Sequence, residues 1–141
     1  MHEINFDDAV EKILAQDARY ARDAFCFVRD ALALTKRQVH KEHRETREEK
    51  HVTGPQLLDG IRELALKEFG PMTVTVFEEW GVRHCKDFGE IVFSMVEIGL
   101  LAKTKTDSRA DFQNGYSFVD AFQKPFWPES RRSPETKTIS H

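Results

Sequence analysis

The sequence predicts a mainly α-helical fold, arranged as a single helical domain. Apolar residues recur three and four positions apart along most of the chain, which is the spacing of one face of a helix. Glycines and prolines separate these periodic stretches and mark their ends. With 141 residues, 40% apolar content and 11 phenylalanines, the chain can bury one sizeable core. We therefore expect one domain over residues 1–128 and a disordered tail over residues 129–141.

Two helices are predicted in the N-terminal third. Asn5 stands where it can cap a short amphipathic helix that begins at Phe6, and a longer helix is expected over residues 18–35. Beyond it, residues 36–50 hold six basic residues, four glutamates and one large apolar residue, Val39. This stretch can extend as a solvated helix or fray into a loop. We expect it to be the most mobile internal segment.

Three more helices follow. Thr53 and Gln56 match a capping box at the start of a helix over residues 54–69, which Gly70 ends. A second helix is expected over residues 71–80. Asp87 and Glu90 form another capping pair, which predicts a helix over residues 87–99.

A short β-hairpin is predicted after the last long helix. Residues 100–104 are expected to form its first strand, Asn114 and Gly115 form a turn signal, and Tyr116 begins the return strand. Ser117 is then expected to cap a final helical turn that carries Phe118 and Phe122. The prolines of residues 124–128 predict an extended segment.

This order of elements, with a brief strand at residues 51–53, is similar to a winged-helix domain with one additional helix. The turn at residues 81–85 and the Val-Glu-Ile-Gly-Leu-Leu ending of the helix at residues 96–101 resemble winged-helix regulators. The resemblance covers about half of the chain, and it implies that the helix at residues 87–99 occupies the position that enters DNA.

A wider set of motifs resembles a family of small uncharacterised bacterial proteins. The motifs are Phe69-Gly-Pro-Met72, Glu79-Trp-Gly81, Asp87-Phe-Gly-Glu-Ile-Val-Phe93, Gly115-Tyr116 and Lys124-Pro-Phe126. They extend over nearly the whole chain outside residues 36–50 and the tail. No activity is assigned to that family, so the resemblance implies no function.

DNA binding is the alternative function that the winged-helix resemblance suggests. Candidate phosphate contacts are the basic residues of the turn and the wing, namely Arg83, Lys86, Lys103, Lys105 and Arg109. However, the exposed stripe of the helix would present Glu90, Ser94 and Glu97 to DNA, and phosphates would repel the two carboxylates. The acidic helix therefore disfavours a DNA-binding regulator.

A non-catalytic protein-interaction or scaffolding module is the function that we expect. The stripe of Glu90, Ser94 and Glu97 and the aromatic pair Phe126 and Trp127 are the candidate contacts for an unknown protein partner. Phe126 and Trp127 have two interpretations: they pack on their own domain as a clamp, or they anchor a partner.

Other functional classes have little support in the sequence. His40, His43 and His51 lie in or beside a solvated charged stretch, so we expect no metal site and no cofactor. Cys85 follows His84 directly, but neighbours on a turn generally point apart, and no catalytic motif is present. A net charge of −3, a pI of about 6.1 and the lack of a long apolar run argue against membrane association and suggest a cytoplasmic protein.

Overall fold

The computed structural model describes residues 5–42, 52–101, 110–113 and 115–128. Their helices are α1 (Phe6–Gln16), α2 (Arg22–Glu42), α3 (Gly54–Phe69), α4 (Thr73–Glu79), α5 (Cys85–Glu97) and α6 (Ala110–Gln113). A 3₁₀ turn, Gly70–Met72, joins α3 to α4, and the last described range contains a π-helical turn, Val119–Gln123, and a second 3₁₀ turn, Lys124–Phe126. The prediction of a mainly α-helical protein is confirmed. Within these ranges, none of the helices has the length and apolar character that crossing a bilayer requires.

Two predicted caps define helix starts in the structure. The Asn5 side chain accepts hydrogen bonds from the backbone N–H groups of Asp7 (2.8 Å) and Asp8 (3.4 Å). Thr53 and Gln56 form both halves of the capping box, with distances of 2.9 and 3.2 Å. Each cap satisfies backbone donors that a helix start leaves free.

Helix α2 begins and ends later than predicted. Asp17 holds the preceding linker in a turn, because its carboxylate accepts from the backbone N–H of Arg19 at 3.1 Å and pairs with the Arg19 guanidinium at 2.9 Å. At the other end the helix continues through residues 36–42, with Val39 buried. This part of the charged stretch is the solvated helix. Residues 43–50 lie outside the described residues, and the mobility of the segment stays a prediction.

The predicted hairpin and its winged-helix core are not supported, because the described residues contain no strand. The backbone N–H groups of Leu100 and Leu101 both donate to Met95 O, at 2.8 and 3.3 Å, so the chain turns back over the end of α5. Tyr116 leads directly into the final helical turn. At residues 52–53 the chain is the extended approach to a helix cap. Residues 102–109 and 114, the rest of the predicted hairpin, lie outside the described part.

The core is built around the side chain of Phe77, which is fully buried at the centre of α4. Among the described residues, six aromatic rings have centroids 5.2 to 6.4 Å from that of Phe77, contributed by Phe27, Phe69, Trp80, Phe88, Phe118 and Phe122. Four of these six pairs are edge-to-face, an arrangement that aromatic quadrupoles favour, and the other two are tilted. Helices α2 to α5 and the C-terminal turn therefore meet at one ring.

We predict that Phe77→Ala lowers the free energy of unfolding by about 3 to 5 kcal/mol, because it removes a buried ring and leaves a cavity. The matched control is Thr75→Ala on the exposed side of the same helix. That change should alter stability by no more than about 0.5 kcal/mol. Urea denaturation followed by circular dichroism measures both. Equal, small losses in the two variants would contradict the central role of Phe77.

Candidate functional site

The linker between α1 and α2 holds the turn between α4 and α5 in place. The backbone N–H of Ala21 donates to Trp80 O at 3.0 Å. Gly81 has a φ of 90°, and a Cβ at this position would lie 2.4 Å from Arg19 O. Any other residue would strain the backbone and separate the linker from the turn. The turn over residues 81–84 is thus held against the linker.

Asp87 determines the shape of this turn. Its carboxylate accepts hydrogen bonds from the Tyr20 hydroxyl (2.7 Å) and from the backbone N–H groups of Arg83 (2.8 Å) and His84 (3.0 Å). The prediction that Asp87 and Glu90 cap the helix as a pair is wrong, because α5 begins earlier, at Cys85. Asp87 lies inside the first turn and reaches back to donors that precede the helix. As a result, Arg83 and His84 are held with their side chains exposed.

Residues 115–118 form a second wall beside this turn. The Cys85 thiol donates to Tyr116 O at 3.3 Å, and the Tyr116 hydroxyl donates to Leu58 O at 2.6 Å. Gly115 permits this close approach, because a Cβ there would lie 2.7 Å from Cys85 Sγ. The wall is therefore fastened to both α3 and α5.

The π-helical turn Val119–Gln123 continues this wall. Ser117 caps it as predicted, since its hydroxyl accepts from the backbone N–H groups of Val119 (3.1 Å) and Asp120 (3.3 Å). Phe118 and Phe122 point into the core, whereas Val119 is 41% exposed. Short π-helical segments occur frequently at functional sites, where the wider turn changes the direction of side chains.

A surface channel, which we call the Val119 groove, runs between these elements. It consists of two adjoining depressions of about 440 and about 270 Å³ that share Arg83, Phe118 and Val119. The larger depression lies between residues 115–119 and residues 83–86, which comprise the end of the turn and the start of α5 and which we call the 83–86 turn. The smaller one lies between α4, at Val74 and Glu78, and the π-helical turn. The groove has an apolar middle and polar ends.

The two ends of the Val119 groove differ in charge. His84 and Lys86 are exposed at the end formed by the 83–86 turn, Glu78 lies at the α4 end, and the exposed Arg83 lines both depressions. In the part of the chain that the structure describes, the side chains of Arg83 and Lys86 make no ion pair. Their positive charges are therefore open to a ligand.

The acidic stripe that sequence analysis proposed for a partner is only partly exposed. Glu90 and Ser94 are half-buried and Glu97 is exposed. Glu90 also faces the Arg19 guanidinium, 3.9 Å away, so part of its charge is compensated within the chain. Glu90 therefore lies beside the α1–α2 linker, and none of the three residues lines the Val119 groove.

The aromatic pair at the C-terminal end differs in exposure. Phe126 is 44% exposed, and Trp127 is half-buried. The prediction of an extended segment here is wrong for residues 124–126, which form a 3₁₀ turn with Pro125 in its first positions. Proline favours such a start, because the missing N–H is not needed there. Backbone that precedes Phe126 packs on α3 and α4.

The remaining candidates from the sequence are the basic residues proposed for DNA and the histidines, and only some of them lie within the described residues. Arg83 and Lys86 lie on the groove, whereas Lys103, Lys105 and Arg109 lie outside the described residues, as do His43 and His51. His40 is exposed on α2, and within the described ranges no cluster of three or more metal-ligating side chains occurs.

The two cysteines have different surroundings. Cys26 is half-buried on α2 and Cys85 is buried. Burial raises the pKa of the Cys85 thiol to about 12, and the protonated thiol donates its hydrogen bond to Tyr116 O. A thiol in this state is a poor nucleophile at neutral pH.

Sequence analysis missed the central residue of the groove. Val119 belongs to no periodic apolar stripe, and its exposure follows from the π-helical turn, which side-chain spacing did not indicate. The Gly115-Tyr116 motif is detectable in the sequence. It predicted part of a hairpin, whereas in the structure these residues hold the wall of the groove in place. Comparisons with protein-family models, with curated proteins and with solved structures found no match for this chain.

We predict that Tyr20→Phe lowers the free energy of unfolding by about 1.5 kcal/mol, since it removes a hydrogen bond to a carboxylate. A double-mutant cycle with Asp87→Ala, measured by urea denaturation, isolates the pair. If the losses of stability in the two single variants were additive, Tyr20 and Asp87 would act independently, which would contradict the hydrogen bond between them.

Alkaline titration gives a second prediction, because burial raises the pKa of Tyr20 and Tyr116, the two tyrosines of the chain, above the usual 10.0. The unfolded chain releases these protons first, so their contribution to stability is complete below pH 10.0 and falls as the pH rises further. Tyrosinate absorbance should appear only as the helical circular dichroism is lost. Half-maximal absorbance near pH 10.0 in a protein that keeps its helices would contradict this expectation.

Proposed function

We propose that this chain is a non-catalytic protein-interaction module and that the Val119 groove is its partner-binding site. The observation that carries the proposal is the pair of adjoining depressions that share Arg83, Phe118 and Val119. Their walls are held by hydrogen bonds and close contacts, so the groove exists before a partner binds. A preformed groove loses little conformational entropy on binding.

The composition of the groove supports a protein partner. Protein interfaces commonly combine a central apolar contact with a polar rim, and arginine and aromatic residues are enriched among their strongest contacts. Val119 and Phe118 supply the apolar centre, and Arg83 and Glu78 supply charges at the rim. Phe126, exposed after the π-helical turn that lines the groove, is an additional candidate contact.

Catalysis has weaker support in this groove. The side chains with catalytic potential are His84, which is exposed, and Cys85, whose thiol is held protonated by burial. No base is positioned to activate that thiol within the described residues, because its hydrogen bond goes to a backbone carbonyl.

DNA binding is the second candidate, and it now rests on Arg83 and Lys86 alone among the described residues proposed for it. Affinity for duplex DNA grows with the number of phosphates that are neutralised, and binding proteins commonly make six to ten such contacts. The groove also has a carboxylate, Glu78, at its other end. These features favour a protein partner.

The test is a substitution in the middle of the groove. Val119→Asp places a charge on the apolar centre, and its exposed position should leave the fold intact. Tagged wild-type protein should enrich one or more proteins from an extract of the source cells, measured by quantitative mass spectrometry. In the Val119→Asp variant, the enrichment should fall by a factor of about ten or more, which corresponds to the loss of one buried apolar contact.

Ala33→Asp is the matched control. Ala33 is an exposed apolar residue of α2 that does not line the groove, and the change in charge is the same. The control should retain the enrichment, and circular dichroism should show both variants folded. If both variants retain every enriched protein, the groove is not the binding site.

A further inference from the structure

We infer that the Val119 groove takes an acidic peptide segment, with an apolar side chain over Phe118 and Val119 and carboxylates against Arg83 and Lys86. This inference rests on the proposed function, and it adds the chemical class of the partner segment. Three features of the groove carry it: the positive charges of Arg83 and Lys86, the apolar surface that both depressions share, and the carboxylate of Glu78 in the depression that Lys86 does not line.

Charge complementarity selects the acidic end of the ligand. Arg83 and Lys86 are three positions apart, both are exposed, and His84 lies between them. Asp87, the nearest carboxylate in sequence, is occupied by the backbone N–H groups of Arg83 and His84 and by the Tyr20 hydroxyl. Asp87 is thus committed to shaping the turn, and its carboxylate does not pair with either cationic side chain.

The middle of the groove selects an apolar side chain. Val119 is 41% exposed, a large fraction for an aliphatic side chain, and its neighbour Phe118, which is 9% exposed, also lines both depressions. Covering such a surface removes apolar area from water, which is the main favourable contribution to most protein associations. A peptide with carboxylates alone would leave this surface uncovered.

Glu78 gives the groove a direction. It lies at the α4 end with Val74 and Gln123, whereas Lys86 lines only the depression at the other end. Like charges in a binding surface disfavour a ligand of the same sign. The acidic part of the ligand should therefore lie at the 83–86 turn and not along α4.

A random peptide library displayed on phage provides the probe for the full chain. Selection on the wild-type protein, with counter-selection on Val119→Asp, recovers sequences that depend on the groove. We expect the recovered peptides to combine aspartate or glutamate with a large apolar residue. A synthetic, fluorescently labelled copy of the most enriched peptide then allows titration by fluorescence anisotropy.

Opposite charge changes should shift the affinity of this peptide in opposite directions. Arg83→Glu with Lys86→Glu should weaken binding by about tenfold, and Glu78→Lys should strengthen it. The matched control is Lys36→Glu with Arg37→Glu on α2, where the same charges are exposed but do not line the groove. That control should change the affinity by less than about twofold. Higher salt should weaken the wild-type complex.

The outcomes separate this inference from the proposed function. The acidic preference would be overturned if the groove-dependent peptides lacked acidic residues. It would also be overturned if the groove and control substitutions changed the affinity equally. In either case the proposal of a protein-interaction module would still stand. Recovery of no groove-dependent peptide would count against both. If duplex DNA or single-stranded RNA bound to the groove more tightly than the peptide, the ligand would be a nucleic acid and the inference would be wrong. If the wild-type protein dimerised and Val119→Asp abolished the dimer, the occupant of the groove would be a second copy of the chain.

Discussion

The packing of aromatic rings around Phe77 is the constraint on which the rest of this structure depends. The Phe77 ring is fully buried and meets rings from α2, α3, α5 and the C-terminal segment. Phe118 and Phe122 belong to this cluster, so the π-helical turn between them is positioned by the core. The exposure of Val119 is therefore a consequence of core packing, since its two aromatic neighbours are committed to the interior.

A second set of contacts connects this core to the cationic end of the groove. Phe77 O accepts from the backbone N–H of Val82 at 2.8 Å, which begins the turn toward α5. Asp87 completes that turn and links it to Tyr20. The backbone of Arg83 is thus held by a series of hydrogen bonds that begins at α4 and ends at the Asp87 carboxylate.

Local signals predicted the helices well and the connections poorly. The caps at Asn5 and Thr53 are local, and apolar spacing alone identified the interior faces. The hairpin is not supported, because a Gly-Leu-Leu ending suits a helix C-cap as well as a strand: Gly99, with a φ of 92°, ends α5, and the backbone N–H of Leu100 donates back to Met95 O. Arg83 and Lys86 were named as candidate phosphate contacts, because cationic residues can be recognised in a sequence. Val119 was not, since its exposure depends on rings at 118 and 122 that turn inward together.

Among the described residues, the basic side chains proposed for DNA contacts are those of Arg83 and Lys86. In a winged helix, the turn and the wing would spread their cations along a duplex. Here Arg83 and Lys86 instead converge with His84 beside an apolar surface of two neighbouring side chains, Phe118 and Val119. Such a small cluster neutralises few phosphates, and its apolar neighbour has no role in contacts to a phosphate backbone. We therefore propose as ligand a short segment that carries carboxylates beside an apolar side chain, because such a segment would contact both the cationic and the apolar part of the groove.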